Sequence, residues 1–306
     1  NKFMTLLKHS NDLKNILIMT YCFVDDFLKG ILANIRYTLT RPNNNHPPTK
    51  KHNLSLAELI SLAIFRFFTG HKNWKDFYQH TKTYHQKDFP KLPAYQNFLD
   101  SINKLSSFAQ LMLNGFMNIF QKLTGESKLK FADSTKLKVC EIKREFSHKV
   151  CFGIASKSKS TMGWFYGFRL HIICNELMQL LKIKITTGAF GERKGLEMMW
   201  NDIFGMIVAD AGYLGKDFQK KARSLNKHLF TAMKANMKKL MTEIEWHLLK
   251  MRQCVETVFS VLKLRMGIET TLPRSPLGYK AHYLWCLTTY QLKKFFEWVF
   301  VKPLLA

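Results

Sequence analysis

The spacing of apolar residues changes character near residue 127, and that change restricts the fold more than any other feature. Before it, apolar side chains recur three and four apart, as an amphipathic helix requires. Leu6, Leu13, Ile16, Leu17, Phe23, Phe27 and Leu28 do so within residues 1 to about 40, and "LSLAELISLAIFRFFTG" does so again from Leu54. Ser55 followed by Glu58 has capping-box spacing, and Gly70 is placed to end this second helix. Between the two, "RPNNNHPPTK", Arg41–Lys50, reads as a loop. The stretch 92–105 carries Tyr95, Phe98, Leu99 and Ile102 at helical spacing. It admits two readings: a groove-reading helix of helix-turn-helix type, or one more amphipathic helix of a bundle. Residues 107–124 continue the helical character.

Beyond 127, "KLKFADSTKLKVC", "HKVCFGIAS", "WFYGFRLHIICNE" and "QLLKIKITTG" alternate or run continuously apolar, rich in β-branched and aromatic residues, as strands do. A helical "RKGLEMMWNDIF" follows, then a strand at 206–209, a helix near 216–225 and a short "KHLFTAM" strand. A long helix over 243–264 and a helical, aromatic tail from Tyr279 to Val301 complete the chain. Strands in succession, then strands alternating with helices, predict an α/β domain with helices packed on a mixed sheet. The expected division is an all-helical region at 1–125 and the α/β domain at 126–306, with no internal repeat.

Charge narrows the partner. Lys and Arg number 47 against 22 Asp and Glu, a formal net charge of +25. Such an excess favours a polyanion, nucleic acid ahead of an anionic membrane surface, because each phosphate contact releases counterions. A hydrophobic content of 46% excludes a disordered chain. The cysteines at 22, 140, 151, 174, 254 and 286 show neither CxxC nor Cys/His spacing, so no zinc site is read and a reducing cytosol is expected. Glu58 and Arg66 interrupt the longest apolar stretch, Leu54–Phe68, which is too short and too charged to span a membrane. No cleavable signal is read, and the opening on Asn1 without a methionine leaves room for residues upstream.

Three carboxylates carry the chemistry. Asp133 falls inside the first strand, where an Asp needs a reason. Asp210 ends the apolar run "MIVA" and precedes Gly212. On the helix "LLKMRQCVETVFSVLKLRMG", advancing 100° per residue puts Arg252, Glu256 and Lys263 within a stripe of ~40° at the border of the packed face. Each acid alone has an ordinary reading: an edge or bulge position, a turn cap, and an i,i+4 surface pair worth ~0.2–0.5 kcal/mol. Together, three acids from separate elements of a strongly basic α/β chain can converge on hard divalent cations, Mg²⁺ or Mn²⁺. Two such ions can clamp the attacking and leaving oxygens of a phosphodiester.

The stretches "FADSTKLKVC", "GWFYGFRLHIICNE", "VADAGYLG" and "RQCVETVFSVLK" resemble bacterial DDE transposases of the insertion-sequence type, most closely the insertion-sequence 982 family. The last stretch holds Arg252, Glu256 and Lys263 at the Arg-x3-Glu-x6-Lys spacing of related transposases, and the resemblance runs over about 127–290. It implies a ribonuclease-H-like core, with Asp133, Asp210 and Glu256 as the metal-binding triad for two Mg²⁺ or Mn²⁺ ions. A metal-activated water would nick the transposon end, and the freed 3′-hydroxyl would attack target DNA with no covalent enzyme intermediate. Arg252 and Lys263 would contact phosphates near the scissile bond. The partners implied are double-stranded DNA at the helical N-terminal region and the core, and a second copy in a synaptic homodimer. The place is the bacterial cytoplasm, at the nucleoid. Three positions depart from the family pattern: Leu249 where a Tyr is frequent, Ala211 where a Lys is common, and "TTGAFGERKG" in place of a Pro-Gly-Asn form. Two other readings use the same residues: a ribonuclease-H-fold nuclease or resolvase that does not join strands, and a DNA-binding protein or transposase remnant whose acids are structural.

Overall fold

The computed structural model describes residues 13–34, 53–160, 163–232 and 242–300, so the loop expected at 41–50 lies outside it. Five helices come first: α1 (Leu13–Asn34), α2 (Leu56–Phe68), α3 (Trp74–Tyr84), α4 (Tyr95–Lys104) and α5 (Ser106–Thr124). The capping box at α2 is formed, with Ser55 Oγ accepting from the Glu58 amide and Glu58 Oε2 accepting from the Ser55 amide. Sequence reading missed α3. Its "WKDFYQHTKTY" is largely polar, but Trp74, Phe77, Tyr78 and Thr81 recur at helical spacing, and the Asn73 side chain accepts from the Asp76 amide at its start.

The sheet begins with β1 (Leu129–Cys140), then β2 (Ser156–Ser160), β3 (Gly163–Asn175) and β4 (Leu180–Thr187), all antiparallel to their neighbours. After α6 (Glu192–Glu197), β5 (Met206–Ala209) pairs in parallel with β1, and after α7 (Lys216–Ser224), β6 (His228–Thr231) pairs in parallel with β5. The order is β2-β3-β1-β5-β6, with β4 beside β2 on the outer edge of β3. An antiparallel β1-β3-β4 meander extended by parallel strands on the far side of β1, with helices on both faces, is the ribonuclease-H-like arrangement. One expected strand is absent: "HKVCFGIAS" forms turns over 150–154 before β2 begins. Gly153 there has φ +76°, which no strand accommodates, and the apolar pattern reflects Cys151 plugging the core.

Alternation along the strands divides the interior in two. Phe131, Leu137 and Val139 of β1 face a large core made by the N-terminal helices and the last helix, α10 (Pro276–Phe300). Ala132 on the same strand faces a smaller core of Leu196, Trp200, Ile207, Phe218 and Ala222, in which Trp200 stacks on Phe218 at 4.9 Å. Residues 243–264, expected as one helix, are α8 (Glu243–Met251), a turn at Arg252, α9 (Gln253–Ser260) and a π-helical turn over Val261–Arg265, closed by Met266 N–H donating to Val261 O at 3.0 Å.

α10 joins the N-terminal helices to the sheet. Its Trp285 Nε1 donates to Ile102 O at 3.3 Å and Thr288 Oγ1 to Ala109 O at 3.1 Å, while Tyr279 OH donates to Val139 O at 3.0 Å and the Leu180 amide to Gln291 Oε1 at 2.9 Å. The helical region and the sheet therefore share one core. Among the described residues no helix is long and apolar enough to cross a membrane. Trp285 is 0% exposed. Trp285→Ala should cost about 3–5 kcal/mol of stability, read as a lower urea midpoint with an unchanged slope.

Candidate active site

The ladder between β1 and β5 pairs Leu129 with Met206 and ends at Ala132 with Ala209. Asp133 and Asp210 are the next residue on each strand, so both leave the ladder at the same level. Side is fixed as well as level. Ala132 and Ala209 face the smaller core, so the residues after them turn to the opposite face, where α9 packs with Val255, Val258 and Phe259 buried.

Asp133 has a side chain only 20% exposed. Its Oδ1 accepts from the Ser134 amide at 2.7 Å and its Oδ2 from Arg252 Nη1 at 3.3 Å. Burial pushes its carboxyl from 3.8 up to about 6; the Ser134 amide and Arg252 oppose the rise, while Glu192 and Asp210 add to it. Asp210 is exposed and caps the 3₁₀ turn Ala211–Tyr213, its Oδ1 accepting from the Ala211 amide at 2.7 Å. It is thus a turn cap and a neighbour of Asp133 at once. Glu256, on α9, accepts from Arg252 Nη2 at 2.6 Å. One guanidinium therefore holds Asp133 and Glu256 together.

Lys263 lies in the π-helical turn, where its ammonium reaches Glu269 at 3.4 Å. It lines the same cleft as Asp133 and Asp210, an opening of about 1180 Å³ that Glu256 does not line. The cleft also presents Lys136, Lys159, Arg169, Arg193 and Lys194, so six basic side chains face three acidic ones, the third being Glu192. A polyanion with a few fixed acids beneath it fits such a surface.

Sequence reading missed the support around the acids. Ser134, pointing to the other side of β1, donates its hydroxyl to Glu192 Oε1 at 3.0 Å, and Arg169 Nη1 donates to the same oxygen at 2.6 Å. The "GER" at 191–193 departs from the family pattern, and nothing in the linear order places it against a strand 58 residues earlier. The helix at 92–105 is α4. Phe98 and Ile102 are buried as in a bundle, while Gln96, Asn97 and Asp100 remain exposed.

Residues 123–276, half of the chain, match the family model of the transposase DDE domain. The chain belongs to the DDE transposase family. It is an enzyme of DNA transposition, one that cleaves DNA and transfers strands. No curated protein matches it. Among solved structures, a Mos1 transposase paired-end complex with left transposon end aligns over 87% of this chain and 86% of that one, at 11% identity and a TM-score of 0.21, a likeness too loose to carry an argument.

Transposase DDE domains use divalent metal ions, and the donors fit: carboxylate oxygens suit hard cations. The raised Asp133 carboxyl, crowded by Asp210 and Glu192, is a charge that a cation would relieve. Among the described residues no group of three or more acidic, His or Cys side chains is already set to hold an ion. Arg252 stands between Asp133 and Glu256.

The Asp133 shift fixes a pH dependence. Folding binds its proton more tightly than the unfolded chain does, so this contribution to stability is complete below pH ~4 and is lost as pH rises through about 6. The loss is at most ~3 kcal/mol, from a rise of ~2 pH units at 1.36 kcal/mol each. Metal-free Asp133→Asn should match the native protein at pH 4 and exceed its stability at pH 7, as measured by urea unfolding at both values.

Proposed function

We propose that Asp133, Asp210 and Glu256 are the metal-binding triad of this transposase, and that the cleft beside them receives the phosphodiester of a transposon end. The observation that carries the reading is the register of β1 and β5. It brings the two aspartates out level, on the face where Arg252 links Asp133 to Glu256. Two Mg²⁺ or Mn²⁺ ions held there would supply Lewis acidity to the attacking and leaving oxygens. The chain's own residues do the rest. Asp133, buried and fixed by the Ser134 amide, sets the position of the site, while Asp210 and Glu256, both exposed, adapt to it.

Lys263 meets the DNA phosphates from the cleft wall. Arg252 serves twice. It pairs with Asp133 and Glu256, and its planar fork would suit a phosphate once cations neutralised those acids. Water attacks the phosphorus at the transposon end and expels a 3′-hydroxyl. That hydroxyl then attacks a target phosphodiester, expelling a second 3′-hydroxyl, so phosphate esters are exchanged with no covalent bond to the protein.

Within the family, the quoted stretches support an insertion-sequence 982 affiliation. Double-stranded DNA is the substrate at both steps, and a homodimer brings two ends together. Action at the bacterial nucleoid follows from that substrate. The N-terminal helical region supplies further DNA contacts, for which the exposed polar face of α4 is the nearest candidate.

Asp133→Asn, Asp210→Asn and Glu256→Gln should each reduce Mn²⁺-dependent cleavage of a transposon-end duplex by roughly 10³-fold or more, with DNA affinity retained. Full cleavage in any of them would remove that residue from the triad. Joining of a labelled 3′-hydroxyl end to target DNA is the second readout: cleavage without joining would favour the nuclease reading.

A further inference from the structure

The start of α6 is built into both strands that carry the aspartates. Glu192, its first residue, accepts from Arg169 on β3 and from Ser134, the neighbour of Asp133 on β1. Its second oxygen, Oε2, lies 2.7 Å from the point a Cβ on Gly212 would occupy, so a methyl in the turn two residues after Asp210 would displace that oxygen. Arg193 continues the link. Its Nε donates to Gly212 O at 3.3 Å, and its Nη2 donates to Leu214 O. Tyr213 is buried in the same turn.

These contacts join two segments past the end of the β1–β5 ladder. Backbone pairing between β1 and β5 stops at Ala132 and Ala209, one residue short of each acid. Asp133 stays in register opposite Ile172 of β3, whereas the turn that carries Asp210 is tied to β1 beyond that point through side chains. A third carboxylate beside two others is unfavourable unless it has work to do, and Arg169 is present to neutralise it. Oε1 is occupied by Arg169 and Ser134, which ties Glu192 to β3 and to the neighbour of Asp133 on β1.

We propose that Glu192 is a positioning residue of the transposase: together with Arg193 and the space at Gly212, it sets the spacing of Asp133 and Asp210 for divalent cations. The proposal rests on the triad reading above. Residues that support metal ligands from outside typically alter metal affinity by about 10–100-fold when removed, and that is the effect expected here.

The test uses the full chain, with Mn²⁺ binding to metal-free protein followed by electron paramagnetic resonance and folding followed by thermal melting. Glu192→Ala should weaken Mn²⁺ binding by about tenfold or more and raise the Mn²⁺ needed for half-maximal end cleavage to match, with affinity for duplex DNA unchanged. Gly212→Ala, which keeps Glu192 but pushes a methyl against Oε2, should weaken Mn²⁺ in the same direction, and it carries the test alone if Glu192→Ala melts too low to assay. A folded variant of either kind that binds Mn²⁺ within twofold of the native protein overturns the proposal. Asp133→Asn separates the two readings: normal Mn²⁺ binding in that variant would sink the triad itself, whatever Glu192 does.

Discussion

The candidate active site depends on a parallel ladder of four residue pairs. It runs from Leu129 and Met206 to Ala132 and Ala209 and ends where the acids begin. Register fixes their level, and the two-residue alternation of strands fixes their side. A slip of one residue on either strand would turn its aspartate towards Trp200 and Phe218, away from α9. The apolar residues that precede Asp210 are therefore a mount: Ile207, Val208 and Ala209 are fully buried, and that burial holds the register.

Electrostatics explains how the arrangement holds together. Two aspartates side by side and a glutamate nearby would repel, and Asp133 already resists ionisation because it is buried. Arg252 meets two of the three at once and is itself only partly exposed, so its charge is less screened than that of a surface lysine. The basic cleft wall adds a field of the same sign over a longer range. Anionic DNA and the acids beneath it are thus served by one surplus of positive charge, which is the physical content of the +25.

Much of this was legible in residue order. β1, β3, β4 and β5 appear at their expected places because apolar alternation reports burial directly, and the capping box at Ser55 is a purely local device. Three features escaped because they are not local. β2 is the run "SKSKS", hydrophilic enough to look like a loop, and it is a strand only because β3 offers an edge. The pairing of Lys263 with Glu269 has no counterpart in residue order, because the π-helical turn over Val261–Arg265 leaves no mark in the apolar spacing. Glu192 gave no signal, since its meaning comes from Ser134, Arg169 and Gly212, three positions on three other segments. Conversely, "HKVCFGIAS" misled because a single buried cysteine in a turn imitates one beat of a strand.

The placement of α10 also sets a timetable. Thr289 on this last helix hydrogen-bonds Ile64 on α2, 225 residues earlier, and the buried faces of α2 and α5 lie against it. At synthesis rates of 5–20 residues per second, α2 leaves the ribosome roughly 10–45 s before its permanent cover exists. Through that interval Ile60, Ile64, Phe65 and Phe67 have no native partner on α10 to bury them. The nascent chain is thus open to aggregation and to chaperones until α10 has been made.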